Sequence, residues 1–156
     1  MAMHTWFECK IRYEKTMENG MQKKVTEPYL VDALSFTEAE ARIIEEMTPF
    51  ITGEFTVSDI KRANYSELFP SDEESADRWF KCKLIFITLD EKSGAEKKTS
   101  TQVLVQAADL RDAVKKLDEG MKGTMADYQI GMVSETPLMD VYPYSAGPND
   151  KPEFDP

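Results

Sequence analysis

Histidine and cysteine are scarce in this chain of 156 residues, which contains one histidine, His4, and two cysteines, Cys9 and Cys82. One histidine cannot build a multi-histidine zinc site, and two thiols can neither complete a tetrahedral cysteine site nor form a disulfide framework. The chain also lacks a glycine-rich phosphate loop, a nucleophile elbow and a dinucleotide-binding fingerprint. We therefore predict no catalytic residues, no metal site and no cofactor.

Long apolar runs and a surplus of basic residues are missing as well. No stretch approaches the roughly 18 apolar residues of a membrane-spanning helix, and residues 1–6 show neither the basic start nor the apolar core of a signal peptide. The formal net charge is -10, so a whole-protein basic footprint for duplex DNA is absent. About half of the acidic excess lies in residues 70–78 and 143–156. We predict a cytoplasmic protein that does not contact a membrane.

An internal repeat is the most informative feature that is present. The segment Trp6-Phe7-Glu8-Cys9-Lys10-Ile11 recurs 73 positions later as Trp79-Phe80-Lys81-Cys82-Lys83-Leu84. Both tryptophans and both cysteines fall in this match, which chance explains poorly. A shift of 74 aligns the middle of the two copies, so one loop differs by one residue. We predict a single domain over residues 1–143, made of repeats 6–70 and 79–143 with an acidic connector at 71–78, and a disordered tail at 144–156.

Each repeat has the pattern of two strands, a helix and a third strand. Apolar residues alternate with polar ones in the first strand of each copy, and Asn19-Gly20 and Ser93-Gly94 indicate hairpin turns. Ser35 or Thr37 begins the first helix and Asp109 the second. We predict an α+β fold, a tandem duplication with mostly antiparallel sheets, one helix per repeat and a pseudo-twofold axis. The helix-facing side chains of the first strands should be buried: Phe7, Cys9, Ile11, Phe80, Cys82 and Leu84.

The two hairpins predict specific cross-strand neighbours. A two-residue turn at Ser93-Gly94 sets Cys82 opposite Val105, and the matching arrangement in the first repeat sets Cys9 opposite Val31. Both pairings place apolar side chains next to each other on the side that faces the helix.

Aromatic and basic residues alternate on the strand faces that point away from the helices. They form the candidate binding site: Trp6, Lys10, Arg12, Trp79, Lys81 and Lys83. Open sheets with this composition bind single-stranded nucleic acid by stacking and phosphate contacts. The alternative is that each tryptophan covers the edge of a core while exposed basic residues, Lys10, Arg12 and Lys83 among them, solvate the sheet. We favour the alternative.

Two further features have a functional and a structural interpretation. Cys9 and Cys82 occupy equivalent positions in the two repeats. They are a redox pair, half of a metal site, or two buried free thiols, and we favour the buried free thiols. The acidic connector, with Asp72, Glu73, Glu74 and Asp77, either attracts a basic partner or cation or is a solvated linker, which we favour.

The opening Trp-Phe-Glu-Cys-Lys-Ile and the length of the chain resemble an uncharacterised bacterial family that is catalogued as a domain of unknown function. The similarity covers about residues 4–143. Because the family has no assigned activity, the resemblance implies no catalytic or binding residues.

These observations favour a non-catalytic binding or regulatory protein that engages a macromolecular partner through its sheet face or through a groove between the repeats. One alternative is a small-molecule-binding domain with a pocket between the repeats, and another is a single-stranded nucleic-acid binder that uses the repeated Trp/Lys face. The acidic charge favours a protein or a small molecule over nucleic acid as the partner. The sequence leaves the partner's identity and the oligomeric state open.

Overall fold

The computed structural model describes residues 5–124 and 127–143, so the predicted tail at 144–156 lies outside the described residues. Within these ranges the chain forms eight strands and two helices. In chain order they are β1 (Thr5–Thr16), β2 (Gln22–Ala33), α1 (Phe36–Met47), β3 (Phe55–Ala63), β4 (Glu67–Phe69), β5 (Arg78–Leu89), β6 (Glu96–Ala107), α2 (Leu110–Gly120), β7 (Tyr128–Glu135) and β8 (Asp140–Tyr142).

Unit 1 consists of residues 5–63 and 138–143. Its sheet has the strand order β3-β1-β2-β8, in which β1 pairs antiparallel with both β2 and β3, and β8 runs parallel to β2. Helix α1 lies on one face of this sheet and buries Ala39, Ile43 and Met47. These side chains pack against the alternate residues of β1 and β2, which form the core of unit 1: Phe7, Cys9, Ile11, Val31 and Ala33.

Unit 2 consists of residues 64–124 and 127–137 and has the same architecture. Its sheet order is β4-β6-β5-β7, and helix α2 buries Ala113 and Leu117 against one face. Its core includes Phe80, Cys82, Leu84, Val103 and Val105. The predicted α+β duplication of a strand-strand-helix-strand unit is therefore confirmed, as is the burial of the helix-facing residues of both first strands.

The short strands β4 and β8 connect the two halves of the chain in a way that the sequence pattern did not predict. Strand β4 lies at the end of the first repeat but pairs with β6, whereas β8 lies at the end of the second repeat but pairs with β2. Each unit thus takes its fourth strand from the other repeat. Three residues carry too little periodicity to indicate a partner, so only the tertiary structure shows this exchange.

The hairpin registers differ from the predicted ones by two residues. Cys82 lies opposite Val103 and Cys9 opposite Tyr29, because the connecting loops at residues 90–95 and 17–21 are each centred one residue earlier than the predicted turns at Ser93-Gly94 and Gly20. A slip of two positions leaves every side chain on its predicted face. The loop at 90–95 is one residue longer than the loop at 17–21, which accounts for the change of shift from 73 to 74.

Both helices begin where capping residues predict. The Ser35 hydroxyl accepts a hydrogen bond from the Glu38 amide, and the Asp109 carboxylate accepts one from the Asp112 amide. In return, the Glu38 carboxylate accepts from the Leu34 amide. These reciprocal bonds satisfy amide groups that the first turn of a helix leaves unpaired.

Candidate functional site

The six predicted site residues lie on one strand in each unit, on the face opposite the helix. In unit 1, Arg12 is exposed, while Trp6 and Lys10 are half-buried. In unit 2, Lys81 and Lys83 are half-buried, and Trp79 is only 5% exposed. The prediction that Lys10 and Lys83 are exposed is therefore wrong. The prediction that Arg12 is exposed is confirmed.

Trp79 does not offer an open stacking surface, because its side chain is buried. The chain after β7 continues the pairing with the start of β5. The amide and the hydroxyl of Thr136 both donate to the Trp79 carbonyl oxygen at 2.9 Å. The strand pattern places Trp79 on the correct face, but it does not show that the side chain is buried there. The favoured interpretation, in which this tryptophan covers the edge of a core, agrees with its burial.

The lysines of the two units differ in the charges that lie opposite them on the neighbouring strand. In unit 1, Glu8 lies opposite Lys61, and Lys10 lies opposite Asp59. The outer face of β1 and β3 therefore carries pairs of opposite charge, which stabilise a sheet.

In unit 2 the same positions lack acidic partners. Lys81 lies opposite Ser134 and Leu104, and Lys83 lies opposite Met132 and Gln102. Within residues 5–124 and 127–143, neither lysine forms an ion pair. Two positive charges thus lie on one face of β5 without a carboxylate beside them.

Strand β7 is an edge strand of the described sheet in unit 2, and residues 128–134 contain no charged side chain. Its equivalent, β3, is also an edge strand and carries Asp59 and Lys61, which align with Met132 and Ser134 at the shift of 73. Charged residues on an edge strand discourage pairing with other chains. Both strands contain a β-bulge beside the first strand of their unit, so the charges are the feature that distinguishes them.

Sequence reasoning missed the β7 edge, although a signal for it was present. The alignment of the repeats compares Asp59 with Met132 and Lys61 with Ser134 directly. Such a comparison separates what the fold requires in both copies from what only one copy has.

A second asymmetry between the repeats is a tyrosine and carboxylate cluster in unit 1. The Tyr13 hydroxyl donates to Glu27 Oε1 at 2.9 Å, and the Tyr29 hydroxyl donates to the same oxygen at 3.4 Å. Lys15 Nζ lies 3.4 Å from Glu27 Oε2, and the Tyr29 and Tyr142 rings stack with centroids 6.2 Å apart. In unit 2 the positions of Tyr13, Glu27 and Tyr29 are taken by Phe86, Thr101 and Val103. The fold therefore does not require this polar cluster.

Burial and nearby carboxylates change the acidity of these phenols. The pKa of Tyr13 rises from 10.0 to about 12, first because the phenol is buried and second because it lies beside Glu27. The pKa of Tyr142 also rises to about 12, through burial and the charges of Asp140 and Glu46. Both phenols are therefore neutral at physiological pH, and the Tyr13 hydroxyl acts as a hydrogen-bond donor rather than as a base.

We expect the stability of unit 1 to fall as the pH rises from 10 to 12. The folded state holds the protons of Tyr13 and Tyr142 more tightly than the unfolded state, so their contribution is intact below pH 10 and is lost as the pH passes 12. Denaturant unfolding at several pH values, with phenolate absorbance recorded in parallel, measures this loss. The variant Tyr13→Phe should show a shallower decline, and equal slopes for the two proteins would contradict the assignment.

Cavities lie beside several of these residues, and a small one of about 280 Å³ is lined by Lys83 and Gln102 among others. Another, of about 530 Å³, lies at the end of unit 1 and is lined by Arg12, Tyr13, Lys24, Glu54 and other polar residues. A third, of about 750 Å³, lies in unit 2 beside Lys116. The cavity in unit 1 places the predicted site residue Arg12 beside both acidic and basic groups, and the cavity of about 750 Å³ contains a lysine whose charge is already paired.

Lys116 fixes the acidic connector to helix α2. Its Nζ atom lies 2.7 Å from Glu73 Oε1, 3.0 Å from Asp112 Oδ2 and 3.1 Å from Ser71 Oγ. Ala76, also in the connector, is buried. The carboxylates of the connector are exposed, as expected for a solvated linker, while Ser71, Glu73 and Ala76 hold part of it against unit 2.

Both thiols are unsuited to redox or metal chemistry. Cys9 and Cys82 are free and fully buried in the cores of their units. Burial is the main cause that raises the pKa of Cys9 from 9.0 to about 12 and that of Cys82 to about 11. Because the thiolate is the reactive form, these groups are inert at neutral pH. The favoured interpretation of buried free thiols is confirmed.

Comparison with known proteins supports the resemblance seen in the sequence. A family model described as a domain of unknown function, DUF4494, matches residues 5–144. The chain belongs to this family. No curated protein matches this DUF4494 chain. Within its described residues, neither helix is long and apolar enough to cross a membrane, and no group of three or more His, Cys, Asp and Glu side chains is placed to hold a metal ion.

Proposed function

We propose that this DUF4494 protein is a non-catalytic binding module that takes up an extended segment of a partner protein as an added strand along β7. The observation that carries the proposal is the uncharged edge at residues 128–134, where the duplicate strand β3 has Asp59 and Lys61. An edge strand exposes unpaired N–H and C=O groups that pair readily with another chain.

The side chains of β7 supply contacts on both faces of such an added strand. Ile130 lies opposite Leu84 on the helix side of the sheet, and Met132 lies opposite Lys83 on the other side. Ile130 is 37% exposed and Met132 is 43% exposed. In strand addition, backbone hydrogen bonds provide affinity and alternate side chains provide specificity.

Selection from a displayed library of random peptides tests the proposal. The chain is expected to enrich peptides with alternating β-branched residues, and the variant Met132→Asp/Ser134→Lys, which copies the charges of β3 onto β7, should lose their binding. The matched control Thr88→Lys/Leu89→Asp places the same charges in the exposed hairpin of unit 2 and should keep it. Thermal melts confirm that all three proteins are folded. The proposal would be overturned if the selected peptides bound the β7 variant as tightly as they bind the natural chain.

Binding of single-stranded nucleic acid through the Trp/Lys face is expected to be absent. Trp79 is buried, and the lysines of unit 1 face carboxylates, so stacking and phosphate contacts are both reduced. Fluorescence anisotropy with labelled single strands at low salt, where charge attraction is greatest, measures this directly. Salt-sensitive binding that Trp6→Ala weakens would contradict the expectation. The small-molecule alternative stays a prediction.

A further inference from the structure

We propose that the segment added at β7 carries carboxylates at alternate positions, which pair with Lys81 and Lys83. This inference rests on the proposed function and names the chemistry of its partner. It also accounts for two half-buried lysines that have no acidic residue opposite them on the described strands β6 and β7.

The register places both lysines within reach of an added strand. Ser134 and Met132 lie opposite Lys81 and Lys83, so β7 alone separates these lysines from the open edge. Neighbouring strands lie about 4.8 Å apart, which places an added strand about 10 Å from β5. A lysine and a glutamate side chain together span that distance, across the short Ser134 for Lys81 and alongside the longer Met132 for Lys83.

The duplicate shows how this face is neutralised when the carboxylate lies within the chain. In unit 1, Asp59 on the edge strand lies opposite Lys10, and Lys61 lies opposite Glu8. In unit 2, Met132 replaces the aspartate and Lys81 replaces the glutamate at the equivalent positions. The missing negative charge would be supplied by the partner, since opposite charges on neighbouring strands attract and like charges repel.

The alternation of side chains along a strand defines the other residues of the partner segment. Successive side chains point to opposite faces, so the residue between the two carboxylates would lie on the helix side beside Val133, and residues beyond the bulge would lie beside Ile130. Val133 and Ile130 are both apolar. The expected partner segment therefore alternates acidic with apolar residues over about six to eight positions, the length of a typical strand.

Two labelled synthetic peptides of eight residues test this inference, one alternating valine with glutamate and the other valine with glutamine. By fluorescence anisotropy at low salt, the glutamate peptide should bind the natural chain at least about tenfold more tightly, and this preference should shrink as salt screens the charges. The variant Lys81→Gln/Lys83→Gln should lose the preference while still binding the glutamine peptide. The matched control Lys10→Gln, in unit 1, should retain it. Thermal melts establish that each variant is folded.

The outcomes separate this inference from the proposed function. The two peptides could bind equally well, with the same affinity for Lys81→Gln/Lys83→Gln and no affinity for Met132→Asp/Ser134→Lys. That result would overturn the charge inference and leave strand addition intact. Binding of neither peptide would overturn the charge inference, and a peptide selection that also fails would overturn strand addition itself. A preference for glutamate that Lys10→Gln abolishes would place the binding in unit 1 and overturn both.

Discussion

A chain that ends at Pro137 is expected to lose about 3–6 kcal/mol of the stability of unit 1, although the deletion removes none of the first repeat. The deletion removes β8, whose Val141 is buried, and Leu138 just before it. Burying one such side chain contributes about 1.5–3 kcal/mol. The stack of Tyr142 on Tyr29 is lost as well. Hydrogen exchange of the β2 amides at residues 29–31 should rise, because these residues pair with β8.

The matched control is a chain that ends at Pro143, which retains β8 and the hydrogen bond from Arg42 to the Pro143 carbonyl oxygen. It should unfold at the same denaturant concentration as the full chain. If the chain ending at Pro137 kept native protection in β2, the exchange of short strands between the repeats would be refuted.

The second large effect is expected from Leu84→Ala in the core of unit 2. Leu84 is fully buried on β5, where it packs with other core residues. Truncating a buried leucine removes its burial free energy and leaves a cavity, which together cost about 2–5 kcal/mol. Denaturant unfolding should therefore show a clearly lower free energy of unfolding for this variant.

The control for this prediction lies on the same strand. Leu89 is 68% exposed, so Leu89→Ala should change the free energy of unfolding by less than about 0.5 kcal/mol. A loss of stability of similar size in both variants would show that the burial pattern of β5 is assigned incorrectly.

The duplication also serves as an internal comparison for function. Features that both repeats keep, such as the buried cysteines and the caps at Ser35 and Asp109, belong to the fold. Features that one repeat has alone, such as the uncharged β7 edge and the Glu27 cluster, are not needed for folding. The proposals for unit 2 depend on this distinction.

Part of the candidate site could be predicted from the sequence. The alternation in β1 and β5 places Trp6, Arg12, Lys81 and Lys83 on the outer face of their strands, because side-chain direction in a strand has a period of two. Their surroundings could not be predicted, because they depend on residues far away in the chain. Thr136 contacts the Trp79 carbonyl oxygen across 57 positions, and no local pattern indicates such a contact.

The sequence by itself determined the duplication, the order of strand, strand, helix and strand, the helix starts and the core face of each first strand. These properties depend on periodicity and capping, which act over a few neighbouring residues. The tertiary structure alone decided that β4 and β8 join the sheet of the other repeat and that β7 is an edge. It also decided which charges face Lys10 and Lys83. Pairing between strands is non-local, so the free energy that selects a partner comes from residues that lie far apart in the chain.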